Sequence, residues 1–228
     1  MAHYRFEQVA DDAWAAIAEP DGGAVANAGI VRSSDSTIVF DTSMLVEAAL
    51  ELREAAEQIA PVTAVVCSHW HADHVGGTVA FADVDIIATT RTRELIEADG
   101  LETLLPSELF EEQFIVDGTL VETLGGGHTE SDAFLWFEDT LFAGDLVVVQ
   151  NHPWVGHGDT EHWIEILEAF EARGPRVVVP GHGPVGRAAD LAPLRRYLEG
   201  LLEGSAEPVD GWEFQEAHAY NVEALAPR

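Results

Sequence analysis

No lysine occurs anywhere in this chain of 228 residues. All 11 basic residues are arginine, they face 41 acidic ones, and the net charge is −30. Such a field repels nucleic acid and anionic membrane surfaces, so neither is expected as a partner. Cysteine is almost absent as well. Cys67 is the only one, which excludes an intrachain disulfide. It sits in the apolar run Val65-Val66-Cys67 and reads as a small buried hydrophobe. No apolar run is long enough to span a bilayer, and the N-terminus lacks the charged-then-apolar pattern of a secretion signal. The expectation is a cytoplasmic protein. Linkers, low-complexity tracts and sequence repeats are missing too, so residues 1–228 are expected to form one domain.

What the chain does have is a core. Apolar residues make up 47% and mean hydropathy is +0.03, values of a globular protein. The poly-acidic surface reads as a solvent adaptation rather than a binding site, because acidic, lysine-free surfaces resemble those of proteins from salt-loving organisms. At about 1 M salt the Debye length is roughly 3 Å, and self-repulsion is largely screened.

The N-terminal third reads as strands, including Ala24 to Val31 and Ser36 to Thr42, with a turn at Asn27-Ala28-Gly29. Leu45 to Ile59 has helical periodicity and ends at Pro61. Val62 to Cys67 reads as a buried strand, followed by a turn at Gly76-Gly77, a helix near Thr78 to Phe81, a strand over Asp85 to Ala88 and a helix over Thr92 to Ala98. Residues 100–112 carry no clear period. Strands follow at Phe114 to Val116, Leu120 to Leu124, Phe134 to Phe137 and Leu141 to Ala143, with Asp117-Gly118 and Glu138-Asp139-Thr140 as hairpin turns. A helix capped by Thr160 runs to about Ala172, a last buried strand covers Val177 to Val179, an amphipathic helix covers Leu191 to Leu202, and a terminal helix follows Asp210. Strand blocks alternate with helices twice. That pattern points to an α/β fold, an αββα sandwich of two mixed sheets with helices on the outer faces.

The chemistry is concentrated in Ser68-His69-Trp70-His71-Ala72-Asp73-His74. Three imidazoles and a carboxylate within six residues, after a buried strand, are ligands for metal. His69 and His71 are two apart and point the same way in an extended segment. Three further candidates stand beside small, turn-forming residues: His128 after Gly125-Gly126-Gly127, Asp145 after Gly144, and His182 between Gly181 and Gly183.

HxHxDH followed by His, Asp and His in this order resembles the metallo-β-lactamase-fold superfamily of metallohydrolases. The resemblance runs from the N-terminal strands to Pro184 and implies the same αββα sandwich. It implies that His69, His71 and His128 hold one ion, that Asp73, His74 and His182 hold a second, and that Asp145 bridges them. The implied cofactors are two divalent ions, zinc first, with iron or manganese as alternatives. The implied chemistry is attack by a metal-bridging hydroxide, with Asp73 and Asp145 as its carboxylates. No serine or cysteine nucleophile is needed, and Ser68 reads as structural.

The resemblance also separates branches. Asp145 stands where β-lactam hydrolases of this fold carry Cys or Ser. Only 46 residues follow His182, and they hold Arg187, Arg195, Arg196 and Arg228 without a lysine, so a glutathione clamp is not evident. His71 is a histidine where diiron oxygen reductases of the fold carry Glu. What remains is a small hydrolase acting on an ester, thioester or lactone, of the glyoxalase, lactonase or quinoprotein-relay kind. The alternatives are an iron-dependent redox or persulfide-handling enzyme, and a β-lactamase-like hydrolase. The loop over residues 150–159 is rich in histidine and aromatics, so His152, Trp154 and His157, together with Trp70, are candidates for substrate contact. His3, His162 and His218 read as ordinary surface. A small molecule is the expected partner, and a homodimer stays open.

Overall fold

The N-terminal run folds as a four-stranded antiparallel meander. Its strands are β1 (Tyr4–Ala10), β2 (Ala13–Ala18), β3 (Ala28–Ser33) and β4 (Ser36–Phe40). The computed structural model describes residues 2–225, so Arg228 lies outside the described residues. Helix α1 (Val46–Glu57) then crosses over to β5 (Val62–Val66), which pairs parallel to β4. A four-residue helix α2 (Ala72–Val75) and a 3-10 segment over Gly76–Phe81 lead to β6 (Asp85–Thr89). Helix α3 (Thr90–Asp99) leads to β7 (Glu108–Phe110), and both new strands add in parallel. Parallel neighbours need crossovers of this kind. The result is a mixed seven-stranded sheet in the order β1 to β7.

The second sheet has five strands in the order β12-β11-β10-β9-β8. They are β8 (Gln113–Val116), β9 (Thr119–Thr123), β10 (Ala133–Phe137), β11 (Thr140–Val148) and β12 (Val177–His182). All pairs are antiparallel except β11 with β12, which are joined through helix α4 (Thr160–Arg173). Helices α5 (Leu191–Glu203) and α6 (Gln215–Ala224) complete the chain.

Strand alternation explains the layers. Ile38, Val66 and Ile87 face the second sheet and meet Val121, Leu135, Phe142 and Val179 in one core. Their sequence neighbours Val39, Val65 and Ile86 face outward onto Leu52 and Phe81. On the other side Leu141 and Val178 face outward onto Trp163, Phe170 and Leu198. Two sheets buried on both faces give the αββα sandwich. The turn Asp117-Gly118 has φ of 47° and 81°, the two left-handed residues of a tight hairpin. Asp117 also accepts hydrogen bonds from Ser36 Oγ (2.7 Å) and Thr63 Oγ1 (2.6 Å), which ties this turn to the first sheet.

Several local expectations are corrected. Asn27 is not part of a turn. Its side chain accepts from the Ala18 amide and donates to the carbonyls of Pro180 and Gly183, so it is a buried strut between the sheets. Helix α4 is capped by Asp159, whose carboxylate accepts from the His162 amide at 3.1 Å, and Thr160 is already helical. Within residues 100–112 the edge strand β7 forms, and β11 is far longer than its first three residues suggest. His3 and His218 are half-buried rather than free surface, and His218 meets the Tyr197 hydroxyl at 2.9 Å.

Phe142 is fully buried between the sheets, with its ring 6.1 Å from that of Phe40, and a side chain at Gly29 would overlap it. Phe142→Ala should destabilise by about 3–5 kcal/mol. Urea unfolding monitored by circular dichroism should show a lower midpoint at unchanged slope, and an unchanged midpoint would remove Phe142 from the core.

Candidate metal centre

Strand β5 ends at Val66, and Cys67 continues its ladder by donating its amide to Ile87 O (2.9 Å). Cys67 is fully buried, as expected, and burial pushes its thiol pKa well up. The chain then leaves the sheet edge. His69 and His71 lie on the loop, and Asp73 and His74 on α2. His128 comes from the loop between β9 and β10. There the buried Asp132 accepts from the amides of Gly127 (2.9 Å) and Thr129 (3.0 Å) and from Thr129 Oγ1 (2.9 Å), which fixes the turn. Asp145 lies within β11, where the register against β12 shifts at Gly144. Gly144 is left-handed at φ 53°, and a Cβ there would come within 2.6 Å of Ser68. A Cβ at Gly181 would overlap Asp145 Oδ1, so β12 leaves exactly the room that this carboxylate occupies. His182 ends β12.

These seven side chains fall into two groups, His69, His71, His128 and Asp145 in one and Asp73, His74 and His182 in the other. In the first, His71 Nδ1 is 3.1 Å from His69 Nε2 and 3.0 Å from His128 Nε2. In the second, Asp73 Oδ2 is 3.3 Å from His182 Nε2 and 3.7 Å from His74 Nε2. Asp145 touches both. Its Oδ2 is 3.4 Å from His128 Nε2 and 3.4 Å from His182 Nε2, and its Oδ1 is 3.2 Å from His74 Nε2.

The outward nitrogens are pinned by other groups. His74 Nδ1 meets Asp41 Oδ2 at 2.8 Å, His69 Nδ1 meets Ser68 Oγ at 2.9 Å, and Ser68 Oγ donates to Asp41 Oδ2 at 2.7 Å. Asp41 also accepts from the Ser68 amide at 2.7 Å. His128 Nδ1 donates to the Trp154 carbonyl at 3.0 Å, and His71 Nε2 meets His157 Nδ1 at 2.8 Å. Asp41 was not singled out in the sequence. Its one signal there is a carboxylate directly after a buried strand. Partners of this kind set the tautomer and aim of metal-binding histidines.

Electrostatics divides the two groups. Burial, reinforced by neighbouring imidazoles, lowers the pKa of His69 and brings His71 down to about 3. For His74 and His182 burial acts the same way, but the carboxylates outweigh it. Asp145, Asp41 and Asp73 hold His74 well above its ordinary value, and Asp145 with Asp73 pushes His182 up to about 10. Burial raises Asp73, yet His74 and His182 outweigh it and hold it at about 2. Asp145 is likewise lowered, His182 and His74 prevailing over burial.

The donor set suits divalent cations. His74 Nε2 and Asp145 Oδ1 are buried without any hydrogen-bond partner, an arrangement that costs free energy unless something fills it. His71 Nδ1 stands 3.1 Å from His69 Nε2 and 3.0 Å from His128 Nε2, close to the roughly 3.3 Å that tetrahedral zinc bonds of about 2.0–2.1 Å require.

A cavity of about 260 Å³ opens over both groups. Trp154 and His157 line it, as do Trp163, Phe214 and Tyr220, which the sequence did not flag. Trp70 instead packs beside the outer core, with its ring 4.6 Å from His71 and 5.5 Å from His157. His152 borders the cavity, but both ring nitrogens are engaged. Nε2 accepts from the Val209 amide (3.0 Å) and Nδ1 donates to Glu213 O (2.8 Å), so it presents only a ring surface.

Residues 21–182 match the model of the metallo-beta-lactamase superfamily. The chain is 28% identical over 162 residues to a metallo-beta-lactamase type 2 of Bacteroides fragilis, covering 65% of this chain and 64% of that protein. It is 30% identical over 141 residues to an atrochrysone carboxyl ACP thioesterase of Aspergillus fumigatus, covering 58% of this chain and 41% of the relative. The chain therefore spans less than two thirds of the length of either. The solved structure of a metallo-beta-lactamase from Pontibacter korlensis superposes with a TM-score of 0.73 at 24% identity, over 86% of this chain and 99% of that one, which is a likeness of fold.

Cations must displace protons from His74 and His182 but not from His69 and His71. Zinc titration at pH 7, by calorimetry in buffers of different ionisation enthalpy, should therefore show two equivalents bound, the one at Asp73, His74 and His182 releasing more protons. Its apparent affinity should rise with pH through the neutral range, where His74 and His182 still hold protons. Equal proton release for both equivalents would contradict the division. Asp41→Ala should weaken the second equivalent about 10–100-fold.

Proposed function

The chain belongs to the metallo-beta-lactamase superfamily, and on that premise we propose that it is a dinuclear metal-dependent hydrolase of a small-molecule ester, thioester or lactone. The observation that carries this reading is Asp145, buried between two ligand groups with one oxygen 3.4 Å from a histidine of each. His69, His71 and His128 would hold one ion and Asp73, His74 and His182 the other, with zinc the expected metal. When bound, such ions lower the pKa of water towards about 7 and polarise a carbonyl. The thioesterase among the relatives is compatible with this substrate class.

The chain's own residues supply the rest. Asp73 is ionised and lines the cavity, so its carboxylate can accept a hydrogen bond from an attacking water and orient it. Asp145 is enclosed by histidines and serves in positioning. Trp163, fully buried, sets its ring 5.3 Å from His128 and donates its indole N–H to Leu146 O, holding that side of the site rigid.

A panel of thioesters, lactones, aryl esters and a β-lactam, assayed with metal counted alongside, tests the proposal. Turnover should vanish with a chelator and return with zinc. Asp145→Ala should lose or loosen the ion held by Asp73, His74 and His182 and lower turnover by orders of magnitude. Cys67→Ala should cost only packing, about 1 kcal/mol. An Asp145→Ala protein with full activity would eliminate the mechanism. One iron per chain and oxygen consumption with a persulfide would favour the redox alternative, and dominant β-lactam turnover the other.

We read the acidic, lysine-free composition as adaptation to concentrated salt, with the protein acting in the cytoplasm on a small molecule, alone or as a homodimer. Among the described residues no helix is long and apolar enough to cross a membrane. A net charge of −30 is self-repulsive when unscreened. The melting temperature should therefore be higher in multimolar potassium chloride than in dilute buffer, and equal values would require another origin for the acidic surface.

A further inference from the structure

Beyond the cavity over the ligands lies a second one of about 560 Å³, and His182, Val25 and Phe214 border both. Phe214 is held at this junction by construction. It is left-handed at φ 52°, and its ring stands edge-on to His182 at 5.6 Å. The segment before it is clamped by His152 through Val209 N and Glu213 O, and the Glu213 amide donates to Gln150 O at 2.9 Å.

The two cavities differ in chemistry. The first is walled by apolar groups such as Met44, Val148 and Trp154 around the ligands. The second carries Glu19, Glu213 and Gln150 at its rim. Among the described residues no arginine lines either cavity, and Arg5, 3.7 Å from Glu19, belongs to a separate surface depression. An anionic group entering here would meet carboxylates and, among the described residues, no cation apart from the site itself. Anions bound by proteins are ordinarily met by Arg, Lys or clustered amides.

We propose that the two cavities form one substrate channel, divided at Phe214, that selects elongated substrates with an apolar acyl group in the first cavity and an uncharged or cationic departing group in the second, and that excludes anionic departing groups. This rests on the hydrolase reading above. Hydrolysis is balanced by water alone. The bond between the acyl carbon and the departing sulfur or oxygen breaks, water oxygen joins the carbon, and one water proton leaves with the departing thiol or alcohol.

The test uses three butyryl thioesters of similar length, of N-acetylcysteamine (neutral), thiocholine (cationic) and 3-mercaptopropionate (anionic). Release of thiol is followed in 1 M potassium chloride, where the long-range field is screened to roughly 3 Å. Binding of their non-hydrolysable ketone analogues to the zinc-loaded protein is measured by calorimetry. The neutral and cationic members should exceed the anionic one at least about 30-fold in kcat/KM and in affinity. Glu213→Arg, which keeps the backbone clamp, should narrow that ratio at least about tenfold. Phe214→Ala should raise the relative turnover of thioesters with bulkier departing groups.

Equal handling of the three charges would overturn the proposal, and so would a discrimination that Glu213→Arg leaves unmoved, or the binding of none of the analogues. Charge-selective binding without cleavage of any thioester would leave the channel standing and remove the hydrolase reading. Cleavage without charge preference would do the reverse.

Discussion

Burying Asp145 is the constraint on which the arrangement depends. A carboxylate almost wholly removed from water is tolerable only when its charge is answered at close range. Here His128, His182 and His74 answer it at 3.2–3.4 Å. Those histidines come from a loop, a strand end and a short helix, so a single side chain draws three separate segments to one point. Oδ1 and His74 Nε2 nonetheless have no hydrogen-bond partner. The protein alone leaves the centre electrostatically incomplete. Positive charge enters the second group either as protons on His74 and His182 or as a cation, and the two exclude each other.

The framework around that point is built from close approaches. Gly181 leaves room for Asp145, and Gly144 lets β11 pass against Ser68. Asn27 ties β2 to the carbonyls of Pro180 and Gly183 on either side of Gly181-His182. Asp41 directly follows β4 with φ of 62° and accepts from the Ser68 amide, Ser68 Oγ and His74 Nδ1. One carboxylate thereby orients a histidine of each group. The sheets supply rigidity, and these short contacts turn it into aim.

The histidine loop was legible in the sequence because its residues are local. Four candidate ligands in six positions require no knowledge of what packs against them. His128, Asp145 and His182 stood out through their glycines, and the repeated alternation of strand blocks with helices pointed to the layers. What escaped depends on distant partners. A lone aspartate at the end of a strand says nothing of the serine 27 residues later that it will meet. The run Ala-Trp-Ala-Ala-Ile-Ala of β2 favours helix by propensity, yet pairing with β1 and β3 makes it a strand. Asp159 and Thr160 are both good caps, and only geometry chose between them. His152 looked available for substrate because its partners stand 57 and 61 residues away.

The family match spans residues 21–182, and all seven candidate ligands together with Asp41 lie inside it. Phe214 and Tyr220 lie outside it and still wall the cavity. The chain thus separates two tasks along its length. The matched segment carries the groups that would bind ions and orient a water. The segment after α5 is fastened by His152 and by Asn221, which accepts from the Val155 amide and donates to the Pro153 carbonyl. Together with Met44, Val148 and Trp154 of the matched segment, it walls the space over the ligand groups. Likeness to relatives over the matched segment therefore speaks to the kind of chemistry, while part of the cavity wall, Phe214 and Tyr220, belongs to residues that the likeness does not reach.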